Sequence, residues 1–281
     1  MDQAIVFGKY DHLLGITNIP IDKDQQSQPQ SVAVILVTAG MLNSVGPFRM
    51  YVDIANKLAT ESIPSLRFDL SGIGESLGVG VSGRSIDRAA EEIIEAMDYL
   101  SAKHDIDKFI LFGLCSGADD SFQTALKDPR VKGIIALDGV AYKTRKFKIK
   151  KLHRYLKLLM RWDKWLNKFR HLTSTQPAPA SLASGGDVRE FPATSDLATI
   201  EFQQLVDQGI QMHFIYTGGT DYYNYEQQFY DMLPEVNWGK TESTTFFPHM
   251  DHVVLLCEDR QELVEHVTEK SKLMIVGCRS I

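Results

Sequence analysis

Apolar segments typical of buried β-strands alternate with amphipathic helical segments along most of this chain. The run SVAVILVTAG is continuously apolar and rich in β-branched residues, as in a strand that is covered on both faces. The runs KFILFG, GIIALDG and IQMHFIYTGG repeat this pattern, and Ile86, Ala89, Ile93 and Met97 recur at helical spacing between two of the strands. The alternation predicts an α/β protein with a mostly parallel central sheet and helices on both faces.

Composition narrows the class of protein further. The 281 residues are 44% hydrophobic and 23% charged, as in a folded domain with a substantial core. The net charge of -6 gives no reason to expect a nucleic-acid partner, and no apolar run approaches the roughly twenty residues of a membrane span. The amino-terminal MDQAIVFGKYDH lacks the apolar core of a secretory signal, and three cysteines without metal-like spacing fit a reducing compartment. We therefore expect a cytoplasmic protein without a transmembrane segment.

One segment departs from this organisation. Residues 143–170 hold twelve Lys or Arg and one acid, Asp163, which leaves about -17 of formal charge for the rest of the chain. We interpret residues 141–199 as a basic helical cap, inserted into a core of residues 1–140 and 200–281. Such charge is typical either of a solvated helix face or of a cap that binds an anionic partner: a carrier protein, a glycan or an acidic membrane surface. Leu152, Leu156 and Leu159 lie on its apolar face and are expected to bind the substrate.

The segment FILFGLCSGADD carries the strongest chemical signal. A strand runs directly into Gly113-Leu114-Cys115-Ser116-Gly117 and a helix follows, which is the Gly-x-nucleophile-x-Gly pattern of a strained strand-to-helix turn. Small residues are needed on both sides because the strand and the helix approach closely. This frame puts Cys115 at the apex, where the helix dipole favours its thiolate. The alternative is a tight turn around a buried structural cysteine.

Partners for this nucleophile follow later in the chain, in the order acid and then histidine. Asp221 comes directly after the predicted strand IQMHFIYTGG, and His252 follows the last predicted strand. We expect Asp221 to orient His252, and His252 to transfer the proton for Cys115. Asp138, at the end of another strand, is the alternative acid, and His249 is the alternative base.

A second loop predicts where a carbonyl oxygen would be stabilised. The segment VTAGMLNSVG follows an early strand, and its Ala39-Gly40-Met41 occupies the frame in which the third residue donates its backbone N–H. The N–H groups of Met41 and Ser116 would then form the oxyanion hole. The turn DLSGIGES, which begins at Asp69, marks a position in the fold and has no chemical role in this prediction. His249, Asp251 and His252 lack a further ligand at supporting spacing, so neither a metal nor another cofactor is expected.

The chain resembles the α/β-hydrolase superfamily over its whole length and, within it, the exosortase A system-associated hydrolases, type 1. The resemblance lies in LLGITNIP, TAGMLNSVGPFRMYV, LRFDLSGIGES, FGLCSGA, YTGG and DHVVLLCEDRQELVE. It implies the α/β-hydrolase fold and a cysteine at the apex of the strand-to-helix turn formed by residues 113–117, which we call the elbow.

These patterns predict a hydrolase with a Cys-His-Asp triad that acts on an ester or thioester. Because a cysteine acyl-enzyme is itself a thioester, hydrolysis and acyl transfer both remain open, so the protein is a thioesterase or an acyltransferase by this prediction. The substrate would be a small-molecule or carrier-bound acyl group. One alternative is a dienelactone-type carbon–oxygen hydrolase with the same triad. The other is a non-catalytic α/β-hydrolase-fold binding protein whose basic cap recruits an anionic partner.

Overall fold

The computed structural model describes residues 2–20, 31–78, 84–159, 194–239 and 241–279, with the backbone alone for residues 154–159 and 279. Among these residues, no helix combines the length and the apolar character needed to cross a membrane.

A single mixed sheet organises the described residues. Its strand order is β1-β2-β4-β3-β5-β6-β7-β8, in which β1 and β2 are antiparallel to their neighbours and the other strands are parallel to one another. The strands are β1 (Asp2–Phe7), β2 (Leu13–Asn18), β3 (Val32–Val37), β4 (Ser65–Phe68), β5 (Lys108–Leu114), β6 (Val131–Leu137), β7 (Gln211–Thr217) and β8 (Glu242–Phe247).

Helices cover both faces of this sheet. They are α1 (Met50–Thr60), α2 (Ser85–His104), α3 (Ser116–Lys127), α4 (Arg145–Leu159), α5 (Ser195–Asp207), α6 (Gln228–Met232) and α7 (Cys257–Arg279). Apolar residues of α2, α3 and α5 pack on one face, and those of α1 and α7 pack on the other. The predicted mostly parallel sheet with helices on both faces is confirmed.

The central strand β3 shows why the sequence folds in this way. Side chains of a strand point alternately to the two faces of a sheet. Ala33 and Ile35 belong to the core on one face, whereas Val34 and Leu36 belong to the core on the other. A strand buried on both faces must be apolar throughout, as this one is.

The predicted cap is described only in part. Its helix α4 begins at Arg145, while residues 160–193 lie outside the described residues. Helix α5 begins at Ser195, and its Ala198 and Phe202 are buried in the core. The predicted cap boundary at residue 199 therefore falls inside a helix that packs on the sheet.

Candidate active site

Cys115 lies in a strained turn between β5 and α3. Its φ of 53° and ψ of -118° place a residue with a side chain in a region that mainly glycine adopts. A Cβ on Gly113 would overlap the carbonyl oxygen of Gly117, and a Cβ on Gly117 would lie 2.6 Å from the carbonyl oxygen of Thr38. The turn predicted at these glycines is therefore present, and Cys115 is the residue at its apex.

His252 joins Cys115 to a buried carboxylate. Its Nδ1 lies 2.8 Å from Oδ2 of Asp138, and its imidazole is also hydrogen-bonded to the Cys115 side chain. The other histidine of this loop is His249, and its Nε2 lies 3.0 Å from Oε2 of Glu262 instead. The structure thus brings His252 to Cys115, as expected.

The carboxylate of Asp138 is fully shielded from solvent and fixed by the end of the neighbouring strand β7. The backbone N–H of Thr217 donates to Oδ1 at 2.7 Å, and its hydroxyl donates to Oδ2 at 2.6 Å. The hydrogen bond from His252 completes three contacts on two oxygen atoms. A carboxylate held in this way can fix both the orientation and the tautomer of an imidazole.

The predicted contact between Asp221 and His252 is wrong. The Asp221 side chain is 84% exposed and pairs with Lys151 at 3.2 Å. The physical reason lies in Gly218 and Gly219, which precede it in the same loop. A Cβ on Gly218 would overlap the carbonyl oxygen of Pro248, and a Cβ on Gly219 would lie 2.5 Å from the backbone nitrogen of His252. These glycines let the loop after β7 pack closely against the loop after β8, which contains His252. The Asp221 side chain then points into solvent instead of toward the imidazole.

The hydrogen bond that His252 donates to Asp138 raises the pKa of His252 to about 9, from an ordinary value of 6.5. The hydrogen bond with Cys115 acts in the same direction, whereas burial of the ring opposes both. Each contact favours the positively charged imidazolium over the neutral ring. The site is therefore arranged to hold an imidazolium beside the sulfur at neutral pH.

The loop after β3 is attached to the elbow by a direct hydrogen bond. The Gly40 N–H donates to Oγ of Ser116 at 2.7 Å, and Ser116 is the first residue of α3. The Met41 side chain is 91% exposed, so only the backbone of this residue is suited to the site. The structure places both predicted oxyanion-hole residues beside the elbow, and their role in stabilising a carbonyl oxygen stays a prediction.

Asp69 is a positioning residue to which the sequence prediction assigned no chemical role. It is 3% exposed and accepts hydrogen bonds from the backbone N–H groups of Ser44 and Glu75. It thereby ties the loop after β3 to the turn after β4. A Cβ on Gly74 would overlap the Asp69 carboxylate, so the glycine in this turn was a signal of the buried acid.

The predicted substrate-binding leucines lie on α4. Leu152 is 58% exposed, whereas Phe147 is the buried apolar residue among the side chains of this helix that the structure describes, residues 145–153. The side chains of Leu156 and Leu159 lie outside the described residues. Because Phe147 and Leu152 are five residues apart, they lie about 140° apart around the helix. Burial of the first turns the second away, and contact of these leucines with a substrate stays a prediction.

Comparisons with known proteins agree with this fold. Residues 29–187 match the family described as serine aminopeptidase, S33, which covers more than half of the chain and includes Cys115. A search of curated proteins finds no match.

Three solved structures illustrate the structural similarity. An esterase from Pyrococcus furiosus is 14% identical with a TM-score of 0.62, and the alignment covers 98% of this chain and 91% of that one. The esterase domain of a Rhodothermus marinus protein is 15% identical with a TM-score of 0.58, covering 98% and 100%. A lidless α/β serine hydrolase from Xanthomonas campestris is 15% identical with a TM-score of 0.56, covering 95% and 92%. At this identity the similarity extends to the fold alone.

Proposed function

Because the chain belongs to the S33 serine aminopeptidase family of α/β-hydrolases, we propose that it hydrolyses or transfers acyl groups through Cys115, with His252 and Asp138 as its partners. One observation carries the proposal: the imidazole of His252 is hydrogen-bonded to Cys115 on one side and to the buried Asp138 on the other. A structural cysteine in an ordinary tight turn does not require a histidine that is hydrogen-bonded to a buried carboxylate. An ester or thioester is proposed as the substrate, since either can transfer its acyl group to a cysteine.

Acylation begins when the Cys115 thiolate attacks the carbonyl carbon and the carbonyl electron pair moves to the oxygen. The tetrahedral adduct collapses and expels an alkoxide or thiolate, which takes a proton from the His252 imidazolium. The product is a thioester on Cys115 and a neutral His252. Asp138 stabilises the imidazolium before this step and keeps the Nδ1 proton in place afterwards.

Deacylation uses the neutral imidazole as a base. His252 takes a proton from water while the water oxygen attacks the thioester carbon. Collapse of the second adduct releases the carboxylic acid and restores the thiolate and the imidazolium. An alcohol or a thiol in place of water would give acyl transfer by the same route.

The backbone N–H groups of Met41 and Ser116 are proposed to bind the oxyanion in both steps. Ser116 is the first residue of α3, so its N–H has no partner within the helix ladder. The hydrogen bond from the Gly40 N–H to the Ser116 hydroxyl holds the loop after β3, which contains Met41, against the elbow. Preorganised donors of this kind act where negative charge develops in the transition state.

Cations of α4 are proposed to receive an anionic group of the substrate or its carrier. Lys150 and Lys151 line a cavity of about 110 Å³ together with Thr220 and Asp221 of the loop after β7. That loop adjoins the site, since the hydroxyl of Tyr222 donates to the carbonyl oxygen of Asp138 at 2.8 Å. The loop that lines this cavity therefore also contacts Asp138, which supports the proposal that an anionic group binds there.

A substrate panel tests the proposed function. Aryl esters and acyl thioesters of increasing chain length should be hydrolysed by the wild-type protein. Cys115→Ala should abolish turnover, whereas Cys257→Ala, which removes an exposed thiol, should leave it unchanged. Turnover that survives Cys115→Ala would exclude this nucleophile.

A further inference from the structure

Exposed apolar side chains gather at the edge of the sheet that carries the candidate site. Strands β3 to β8 are parallel, so the segments that follow them meet at their common carboxyl edge. More than half of the exposed large hydrophobic side chains of the described residues lie in those segments. Six of them belong to the two loops that contact the elbow and form what we call the apolar rim: Met41, Leu42, Phe48, Val253, Leu255 and Leu256.

The rim is held in place by polar contacts beneath it. The Asp251 carboxylate accepts hydrogen bonds from the backbone N–H groups of Val253 at 2.9 Å and Leu255 at 3.0 Å. Arg260 donates to the carbonyl oxygen of Leu255 at 2.9 Å, and its guanidinium lies 5.8 Å from the centre of the Phe48 ring. Arg260 thus links the two loops of the rim.

Backbone strain supports a function for this loop. Val254 has a φ of 53°, a conformation that is unfavourable for a β-branched residue. Its side chain is fully buried, while its neighbours Val253 and Leu255 are 39% and 53% exposed. Exposed aliphatic side chains add no hydrophobic stabilisation to the fold. A strained and fixed loop that presents them to solvent is typical of a functional surface.

Positive charge lies at the same edge. Residues 143–153, which include most of α4, contain six Lys or Arg and no acid. Lys143, Arg145, Lys148 and Lys150 are exposed to solvent. Helix α4 follows the carboxyl end of β6, and Lys151 reaches Asp221 in the loop after β7. The apolar rim and this cationic helix therefore belong to one end of the molecule.

We propose that this end of the protein docks on an anionic phospholipid bilayer. The apolar rim would enter the boundary between head groups and acyl chains, and the cations of α4 would contact the acidic head groups. The rest of the chain, outside residues 143–170, carries about -17 of formal charge and would be repelled from such a surface, which fixes the orientation. A bilayer fits better than an acidic protein, because aliphatic side chains on separate loop tips enter lipid without a matching apolar counter-surface.

Docking in this orientation turns the site toward the membrane and defines a substrate class. The substrate would be an acyl ester or thioester that resides in the bilayer. That assignment rests on the proposed function, whereas the docking itself does not.

Vesicle cosedimentation of the Cys115→Ala protein tests the docking without any turnover. The protein should bind vesicles of equimolar phosphatidylglycerol and phosphatidylcholine, and bind vesicles of phosphatidylcholine alone far more weakly. Replacing Leu255 and Leu256 with Ser should weaken binding about tenfold or more. Replacing Lys148 and Lys150 with Gln should weaken it by a similar factor and reduce its dependence on salt.

Leu273→Ser is the matched control. Leu273 is 61% exposed but lies far along α7, so its replacement should leave vesicle binding unchanged. Circular dichroism of each variant checks that it is folded. If the variant with Ser at both Leu255 and Leu256 does not fold, the single substitution Leu256→Gln is tested in its place. Absence of binding to the anionic vesicles would overturn the proposal. An affinity for these vesicles that is unchanged by the rim and lysine substitutions would overturn it as well. Vesicle binding by a protein whose wild type hydrolyses no acyl substrate would contradict the proposed function and leave the docking standing.

Discussion

Asp138 receives three hydrogen bonds on its two carboxylate oxygens, and its side chain is shielded from solvent. Asn at this position would present an amide N–H to a partner that itself donates from Nδ1. The His252 ring would then lose its tautomer or its orientation. Asp221 makes no comparable contact, because its exposed carboxylate pairs with Lys151.

Asp138→Asn should therefore lower kcat/KM for an aryl ester by about 10²- to 10⁴-fold, with the fold retained. Asp221→Asn is the matched control, since an uncharged aryl ester carries no anionic group for the cavity of Lys150 and Lys151. It should change kcat/KM for that ester by less than about twofold, in keeping with a surface ion pair of small energetic weight. Steady-state kinetics of both variants decide between the two acids. A large loss in the Asp221 variant with normal activity in the Asp138 variant would restore the acid predicted from the sequence.

The pH dependence of acylation follows from the same contact. The pKa of His252 is raised to about 9, mainly by the hydrogen bond that it donates to Asp138, so its imidazolium persists across the neutral range. This form donates the proton to the leaving group, and kcat/KM should fall as the pH rises through about 9. Removing the largest cause of the raised pKa lowers it, so Asp138→Asn should move the alkaline limb toward neutral pH. An alkaline limb that stays in place in this variant would show that another group titrates there.

At the scale of elements, the site depends on close packing between the loops that follow β7 and β8. A Cβ on Gly218 would overlap the carbonyl oxygen of Pro248, in the loop that carries His252. The alanine substitution must therefore displace one loop or the other. Gly78 offers a control at the same end of the molecule, since a Cβ there would lie an ordinary 3.9 Å from the Cα atom of Gly72.

Gly218→Ala should lower the free energy of unfolding by about 1–3 kcal/mol, the usual cost of overpacking. It should also reduce kcat, because the displaced loop moves His252 away from Cys115. Gly78→Ala should change both quantities little. Urea unfolding and ester kinetics on the two variants provide the measurement, and equal behaviour of the two would refute this role for Gly218.

Local patterns and tertiary contacts differ in what the sequence reveals about them. The elbow was predictable because Gly113, Cys115 and Gly117 lie within five residues and meet the steric needs of one turn. The acid was not, because Asp138 and Asp221 both follow a strand, and only the packing of the loop after β7 against the loop of His252 decides which acid reaches the imidazole. The two glycines before Asp221 indicate a close approach of loops, but the sequence alone does not distinguish this from the end of a strand that presents an acid.

Helix α4 shows the same limit. Its periodicity marked Leu152 as part of an apolar face, but periodicity alone does not state which face meets the sheet. Of the side chains described for residues 145–153, that of Phe147 packs inward, and the Asn224 side chain donates to the backbone carbonyl oxygen of Phe147 at 3.2 Å. A tertiary contact therefore sets the rotation of the helix.

At the scale of the whole molecule, charge is divided between the sheet domain and the basic segment. Residues 143–170 carry twelve cations and one acid, and the remainder of the chain carries the acidic excess. The described part of this segment lies at the carboxyl edge of the sheet, next to the candidate site. An anionic acyl substrate would be attracted to this edge and repelled elsewhere, which favours productive encounters.

The central claim is that Cys115 is the nucleophile, and trapping the acyl-enzyme tests it most directly. The protein is mixed briefly with an activated aryl ester, quenched in acid and analysed by peptide mass spectrometry. The account predicts one acyl adduct, on Cys115, that is labile to hydroxylamine and is lost in His252→Ala. Cys257 is exposed and Cys278 is buried, so they serve as internal controls for unassisted thiol reactivity. Acylation spread equally over Cys115 and Cys257, or unaffected by His252→Ala, would contradict the account.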